Sequence, residues 1–201
     1  MKTIKEIYNN ELIIKKSKFI TNIYPVKDED MCKDILKDIR KKYYDATHNC
    51  YAYIIGDMIM KSSDDGEPAK TAGMPMLEAL KDRELTNVLV IVTRYFGGTL
   101  LGKPGLIKAY RDSVYEIINK CNIYNIIDGE KYRINLSYEE YNNLTKLSFI
   151  NIITSSFTND VIVDFKIKSD EKDTLIDKLE KNKIRTNSLS YLEKCYFEEL
   201  I

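Results

Sequence analysis

Apolar and polar positions change period several times along this chain, and the changes mark its elements. Residues 3–26 place Tyr8, Leu12, Ile14, Phe19, Ile23 and Tyr24 in short β-rich runs, which predicts strands with Asn9-Asn10 as a hairpin turn. From Asp28 to Tyr44 the period lengthens. Met31, Ile35, Ile39 and Tyr43 recur every four residues, Asp28 or Asp30 can cap the start, and Lys41-Lys42 suits the C-terminal end of a helix. Thr47 to Ile55 predicts a strand with Thr47, Asn49, Tyr51 and Tyr53 on one face and His48, Cys50, Ala52 and Ile54 on the other. A short strand over Met58–Met60 pairs back through Gly56-Asp57. Ser62 to Gly73 is polar and has no period. Met74 to Leu85 predicts a helix with Pro75 in its first turn and Met76, Leu77 and Leu80 on its apolar side. The run NVLVIVTRYF is apolar without a break, the pattern of a strand covered on both faces. From Pro104 to Cys121, Leu106, Ala109, Tyr110, Ser113, Val114, Ile117 and Ile118 form one helical stripe. A closing strand follows at 122–128.

The remainder has its own rhythm. Strands are predicted at 131–137, 151–157, 161–167 and 185–197, with helices at 138–149 and 169–182 and a turn at Thr158-Asn159-Asp160. The order β-α-β-β-α-β is the ferredoxin-like arrangement. Asp128-Gly129 marks the boundary, so two domains are expected, at residues 1–129 and 130–201, and the fold class is α+β. Tyr132, Phe157 and Phe165 are either base-stacking aromatics or core, and core is favoured.

Composition narrows the function classes. Of 201 residues, 31 are Lys or Arg and 31 are Asp or Glu, and the balance holds in both halves: 20 basic and 19 acidic through Glu130, then 11 and 12. Nucleic-acid binders usually carry a basic excess, because phosphate contacts supply most of their affinity. No DNA specificity is expected. The lysines at 15, 16 and 18 are read as a solvated strand face ahead of a phosphate patch. Four scattered cysteines (Cys32, Cys50, Cys121, Cys195) and one histidine form no zinc pattern, so no metal site and no cofactor are expected. The N-terminus lacks the apolar core of a signal peptide, and the longest aliphatic run is Val88 to Val92. A cytoplasmic protein with no membrane contact is the expectation. The oligomeric state is left open.

The candidate chemistry lies between Asp64 and Tyr110. Asp64, Asp65 and Glu67 put three carboxylates within four residues, with Thr71 close behind and Arg94 at the end of the apolar strand. Paired carboxylates can serve general acid–base work or hold a hard cation; solvated loop carboxylates are the commoner case. His48 shares a face with small apolar residues, which favours a hydrogen-bonded core histidine over a catalyst. The turn after Phe96 runs Gly97-Gly98 to Gly102-Lys103, close to a phosphate loop. Pro104 stands where that loop needs a hydroxyl, so a nucleotide loop is rejected. Two readings remain for the turn: weak anion binding at the following helix start, and tight packing of Gly97-Gly98. A salt bridge from Arg94 to Glu67 or Asp65, pinning the loop, is the favoured role for Arg94.

Together, DGEPAKTAGMPML, VLVIVTRYFGG, Leu101-Gly102 and AYRDSV resemble the IMPACT/YigZ family, and His48 with CYAY resembles that family's upstream strand. The resemblance covers residues 1–120. It departs from the family pattern at Ala69-Lys70, where Ser-Gly is common, and at Lys103-Pro104, where small residues are frequent. It implies an N-terminal α/β sandwich resembling the second domain of a small-subunit ribosomal protein. It also implies a C-terminal domain similar to the late domains of elongation factor G. Eukaryotic members regulate translation through an initiation-factor kinase pathway, whereas bacterial members have no settled activity. The resemblance therefore points to a regulatory binding protein whose partner is the ribosome, RNA or a translation factor, and it leans away from an enzyme. The alternative is an enzyme holding a small anionic substrate in a cleft around Asp65, Glu67 and Arg94. Binding candidates are His48, Asp64, Asp65, Glu67, Thr71, Arg94, Phe96, Gly97, Gly98 and Lys103.

Overall fold

A computed structural model describes residues 1–201. The chain divides into two compact units, residues 1–125 with 200–201, and residues 126–199.

The first unit contains β1 (Lys2–Thr3), β2 (Tyr8–Ile14), β3 (Ser17–Pro25), α1 (Glu29–Lys42), β4 (His48–Ile55) and β5 (Ile59–Ser63). It continues with α2 (Gly73–Asp82), β6 (Val88–Tyr95) and α3 (Gly102–Ile118), and β7 (Tyr124–Leu136) begins in it. Its main sheet has the order β2-β3-β6-β4-β5, and every pairing in it is antiparallel.

Strand β6 lies at the centre and is covered on both faces, as its unbroken apolar run requires. Val88, Val90 and Val92 face the core built with α2 and α3, while Leu89 and Ile91 join Cys32, Leu36 and Ile39 of α1 on the other side. Helices on both faces of an antiparallel sheet thus give the signature usual for parallel strands. The stripe read along α3 is buried throughout, from Leu106 to Ile118. Helix α1 begins at the Asp28 cap, whose carboxylate accepts from the Met31 amide at 2.8 Å.

Three sequence expectations in this unit are corrected. The β2–β3 hairpin turns at Lys15-Lys16, both at positive φ (46° and 67°), and Asn9-Asn10 pair with Asn22 and Thr21 inside the ladder. Two consecutive left-handed residues match the right-handed twist of the flanking strands, and that geometry overrode the preference for asparagine. Helix α1 buries Cys32, Leu36 and Ile39, whereas Met31 is exposed. The apolar residues of that helix offer two overlapping stripes, and contact with Tyr53 and Leu89 selects the second. Strand β5 extends to Ser63, so the polar loop starts at Asp64.

The second unit holds the rest of β7, then α4 (Tyr138–Leu144), β8 (Asn151–Phe157), β9 (Val161–Lys168), α5 (Leu175–Lys181) and β10 (Ser190–Leu200). The order is β-α-β-β-α-β, and the sheet runs β10-β7-β9-β8. Ser137 opens α4 with a capping box: its hydroxyl accepts from the Glu140 amide while the Glu140 carboxylate accepts from the Ser137 amide.

The strands expected at 122–128 and 131–137 are one continuous strand, with Asp128-Gly129 inside it. Helix α4 stops at Leu144, and the segment expected as one helix over 169–182 opens as a 3₁₀ turn over Ser169–Thr174. The last strand begins at Ser190. Tyr132 and Phe165 are buried against each other, but Phe157 is 54% exposed, packed edge-on against Tyr141, and is not core. No helix is long and apolar enough to cross a membrane.

Candidate functional site

The loop from Asp64 to Ala72 lacks regular structure and is held by its own acids. The Asp64 carboxylate accepts from three backbone amides, those of Lys70 (2.8 Å), Ala72 (3.0 Å) and Gly73 (2.9 Å). It therefore closes the loop and satisfies amides at the start of α2, which has no cap at Ala72. Asp65 accepts from the Asn49 amide at 2.7 Å and from the Arg40 guanidinium at 2.9 Å, tying the loop to β4 and α1. Thr71 is buried, and its hydroxyl donates to the Pro68 carbonyl at 2.6 Å.

Glu67 points inward. Its Oε1 accepts from Arg94 Nη1 at 2.6 Å and from the Tyr110 hydroxyl at 2.7 Å, and the side chain is 2% exposed. Arg94 lies at the end of β6 with its guanidinium over the rings of Phe19 and Phe96, at 5.5 and 5.7 Å from their centroids. Its Nη2 faces Ser17 Oγ at 3.4 Å, and its Nε–H has no acceptor. The Cys50 thiol donates to the Asp64 carbonyl at 3.0 Å and lies 3.4 Å from the Tyr110 oxygen. Burial, above all, pushes the Cys50 thiol and the Tyr110 hydroxyl far up, so both stay protonated and Tyr110 acts as a donor to Glu67.

His48 contacts the Asp65 carbonyl through Nδ1 at 2.8 Å. A carbonyl only accepts, so Nδ1 carries the proton. The opposite nitrogen, Nε2, lies 3.8 Å from Glu67 Oε1, too far for a hydrogen bond.

Next to this network lies a groove of about 430 Å³. Thr47, His48, Glu67, Pro68 and Arg94 line one part of it, and Phe96 with Leu100 to Lys103 and Leu106 line the other. Phe96 is 47% exposed and Leu100 is 82% exposed, so the rim is apolar and open. Lys103 is exposed at the same rim, with no carboxylate within ion-pairing distance.

The two glycines of the turn do different work. A Cβ on Gly97 would come within 2.0 Å of the Lys16 backbone, so this residue permits close approach of the β2–β3 turn. Gly98 has φ +79° and open space around it, so it serves the turn's direction. Helix α3 then starts at Gly102 behind Leu101, which supplies no side-chain cap, and the first turn holds no acid.

The structure thus brings together His48, Asp64, Asp65, Glu67, Thr71 and Arg94, and sets Phe96 and Lys103 on the adjoining groove. Sequence reasoning assigned Tyr110 to a core stripe and so missed its bond to Glu67. It also missed Arg40, Asn49 and Ser17 as anchors, and Leu100 and Leu106 as groove walls. A tyrosine in an otherwise aliphatic stripe was the available signal, since a buried hydroxyl needs a partner.

In structural class this is a two-unit mixed α/β protein whose first unit pins an acidic loop over the end of its central strand. The family model described as Impact N-terminal domain matches residues 15–118. IMPACT family member YvyE of Bacillus subtilis is 39% identical over 206 residues, spanning 96% of this chain and 93% of that protein. IMPACT family member YigZ of Escherichia coli is 33% identical over 138 residues, spanning 67% of this chain and 68% of that protein. The crystal structure of a hypothetical protein matches over 95% of each chain, with a TM-score of 0.64 and 27% sequence identity. The chain belongs to the IMPACT family.

Proposed function

We propose that this protein is a regulatory binding protein acting on the translation apparatus, and that the groove beside the pinned loop is where it engages its partner. One observation carries the recognition half of this reading: the chemically capable groups are already engaged with one another. Glu67 is taken by Arg94 and Tyr110, Asp64 by three amides, and Asp65 by Arg40 and Asn49. What the groove offers outward is Phe96, Leu100 and Lys103. Exposed aromatic and aliphatic side chains on a rigid base suit docking to a macromolecule. The translational half rests on family membership and on the regulatory role that the family resemblance implies.

The domain division at residues 129 and 130 belongs to the same proposal, as do the likenesses to a ribosomal-protein domain and to elongation factor G. Two compact units, parting at residues 125 and 126, support a two-domain chain, and the β-α-β-β-α-β order of the second supports the likeness to elongation factor G. Balanced charge in both halves favours contact with a protein of the apparatus over nonspecific RNA binding.

The enzyme reading has one supporting feature, His48 Nε2 on the groove wall near Glu67. A proton-shuttling carboxylate would have to leave the Arg94 pair, so this reading ranks second. The test is co-sedimentation with ribosomes and with bare RNA across a salt series, for the wild type and Leu100→Asp. Ribosome binding that the variant loses while keeping its fold supports the proposal. Absence of ribosome binding at low salt overturns the reading for the ribosome.

A further inference from the structure

We infer that β8 is a self-pairing edge: two copies of this chain join antiparallel along residues 153–157, about a two-fold axis at Ser155. The first ground is charge. The main sheet of the first unit ends in β2 and β5, and the sheet of the second ends in β8 and β10. An open edge presents a row of unpaired backbone groups, and charged side chains normally keep other strands away from it. Glu11 is such a residue on β2, Lys61 on β5, and Glu193, Lys194, Glu198 and Glu199 on β10. Strand β8, NIITSSF, holds no charge, no proline and no glycine. It lies in an uncharged run of 13 residues, 147–159, the longest in a chain of which 31% is charged. Nothing in it repels a copy of itself, and its isoleucine, threonine and phenylalanine residues suit a strand.

The second ground is self-complementarity. Ile153 and Phe157 are 44% and 54% exposed, and each lies two residues from Ser155. Antiparallel pairing centred on Ser155 sets Ile153 of each copy opposite Phe157 of the other. Both cross-strand pairs then join a β-branched and an aromatic side chain, a favourable combination, and the contact is isologous. The small side chain of Ser155 lets the copies approach on the axis. Tyr138, 50% exposed with its ring 6.2 Å from that of Phe157, widens the apolar contact. Residues 154–157 pair one to one with β9 on their inner side and have no strand on their outer side. The ends of the run fix the direction. Lys146 precedes it and Asp160 follows it. Antiparallel pairing turns the Lys146 end of each copy toward the Asp160 end of the other, whereas parallel pairing would set like charges together. Growth stops at two copies, because each has one such edge and β10 is charged.

A contact of five residues a side is small, and a Kd on the order of 10 µM is expected for it. The experiment is sedimentation equilibrium of the full chain from about 1 µM to about 500 µM, a range that brackets this Kd. Wild type should pass from monomer to dimer across it. Ile153→Lys should weaken association at least about tenfold, because a lysine then faces Phe157 at both symmetric pairs. The double variant Ile153→Lys with Phe157→Glu sets opposite charges at both pairs and should return the Kd to within about threefold of wild type. Thermal melts establish that each variant is folded. Hydrogen exchange of the wild type needs no substitution: segment 151–157 should exchange more slowly at the high concentration than at the low one. A wild type still monomeric at about 500 µM, roughly fifty times the expected Kd, overturns the inference. So does a dimer that Ile153→Lys leaves intact, a folded double variant that stays monomeric, or exchange in β8 that does not depend on concentration.

Discussion

Glu67 and Arg94, 27 residues apart in sequence, meet at 2.6 Å with both side chains almost wholly buried. The pair fixes the acidic loop to the end of β6, and Tyr110 fixes it to α3 through the same carboxylate oxygen. Three elements distant in sequence are thereby held around one oxygen atom, and the groove wall inherits their rigidity.

Removing one partner leaves the other charged and buried. Arg94→Ala is expected to destabilise the protein by about 3–5 kcal/mol. The double variant Arg94→Met with Glu67→Leu should recover a large part of that loss, because no charge is then stranded. Urea unfolding of the three proteins measures it. A single variant within about 0.5 kcal/mol of wild type would mean the pair is solvated and the loop is held otherwise.

The glycine pair gives a steric test. Gly97→Ala drives a Cβ to 2.0 Å from the Lys16 carbonyl carbon, so the β2–β3 turn must move away, at a cost of about 3 kcal/mol. Gly98→Ala meets no atom within 4 Å and bears only left-handed strain, about 1–2 kcal/mol. Thermal melts should rank the two variants in that order, and the reverse order would place the crowding at Gly98.

In the second unit, Glu140 accepts from Arg185 at 2.7 and 2.9 Å and from the Ser137 amide. The Arg185 guanidinium, foremost, holds the Glu140 carboxyl down at about 2. A lowered folded-state value stabilises the fold above the ordinary carboxylate value of 4.5, and that contribution drains away as pH falls from there toward 2. Glu140→Gln keeps the cap but loses the charge. Its melting temperature should lie below wild type at pH 7, and the gap should close between pH 4.5 and pH 2. A gap independent of pH would show that the ion pair contributes nothing.

The thiols should be sluggish. Burial, the leading cause, raises Cys32 to about 11 and Cys121 to about 12, and it raises Cys50 further. Shifts of that size leave roughly a hundredfold less thiolate at pH 8 for Cys32 and roughly a thousandfold less for Cys121. Alkylation by iodoacetamide should therefore be far slower in the native protein than in urea. A fast-reacting native thiol at Cys32, Cys50 or Cys121 would contradict the packing.

Much of this was legible in the sequence, and the exceptions have physical causes. The unbroken run of β6 and the stripe of α3 announced their burial, since each side chain in them reports its own environment. A partner for Arg94 in the acidic loop was readable because a charge at the end of a buried strand needs one, but the choice of Glu67 over Asp65 was not, because Arg40 on α1 takes Asp65. The Lys15-Lys16 turn was hidden, because tertiary pairing forced left-handed backbone on residues that do not advertise it. The continuous β7 was hidden by Asp128-Gly129, a turn-forming pair in isolation. There the close approach of Phe197 and of the Ile167 carbonyl to Gly129 uses the missing side chain in a strand. The groove itself could not be read, because Leu100 and Leu106 look like any apolar residues until the fold shows that Leu100 is exposed and Leu106 is not.

The central claim is that the groove faces a partner from the translation apparatus. The direct measurement places a photo-crosslinking amino acid at position 100 and, as a control, at the equally exposed position 58, far along the chain in the β4–β5 turn. After irradiation in cell extract, the adducts are identified by mass spectrometry. The account predicts adducts with a ribosomal protein or translation factor from position 100 and none of these from position 58. The same adducts from both positions, or none with the translation apparatus from position 100, would contradict it.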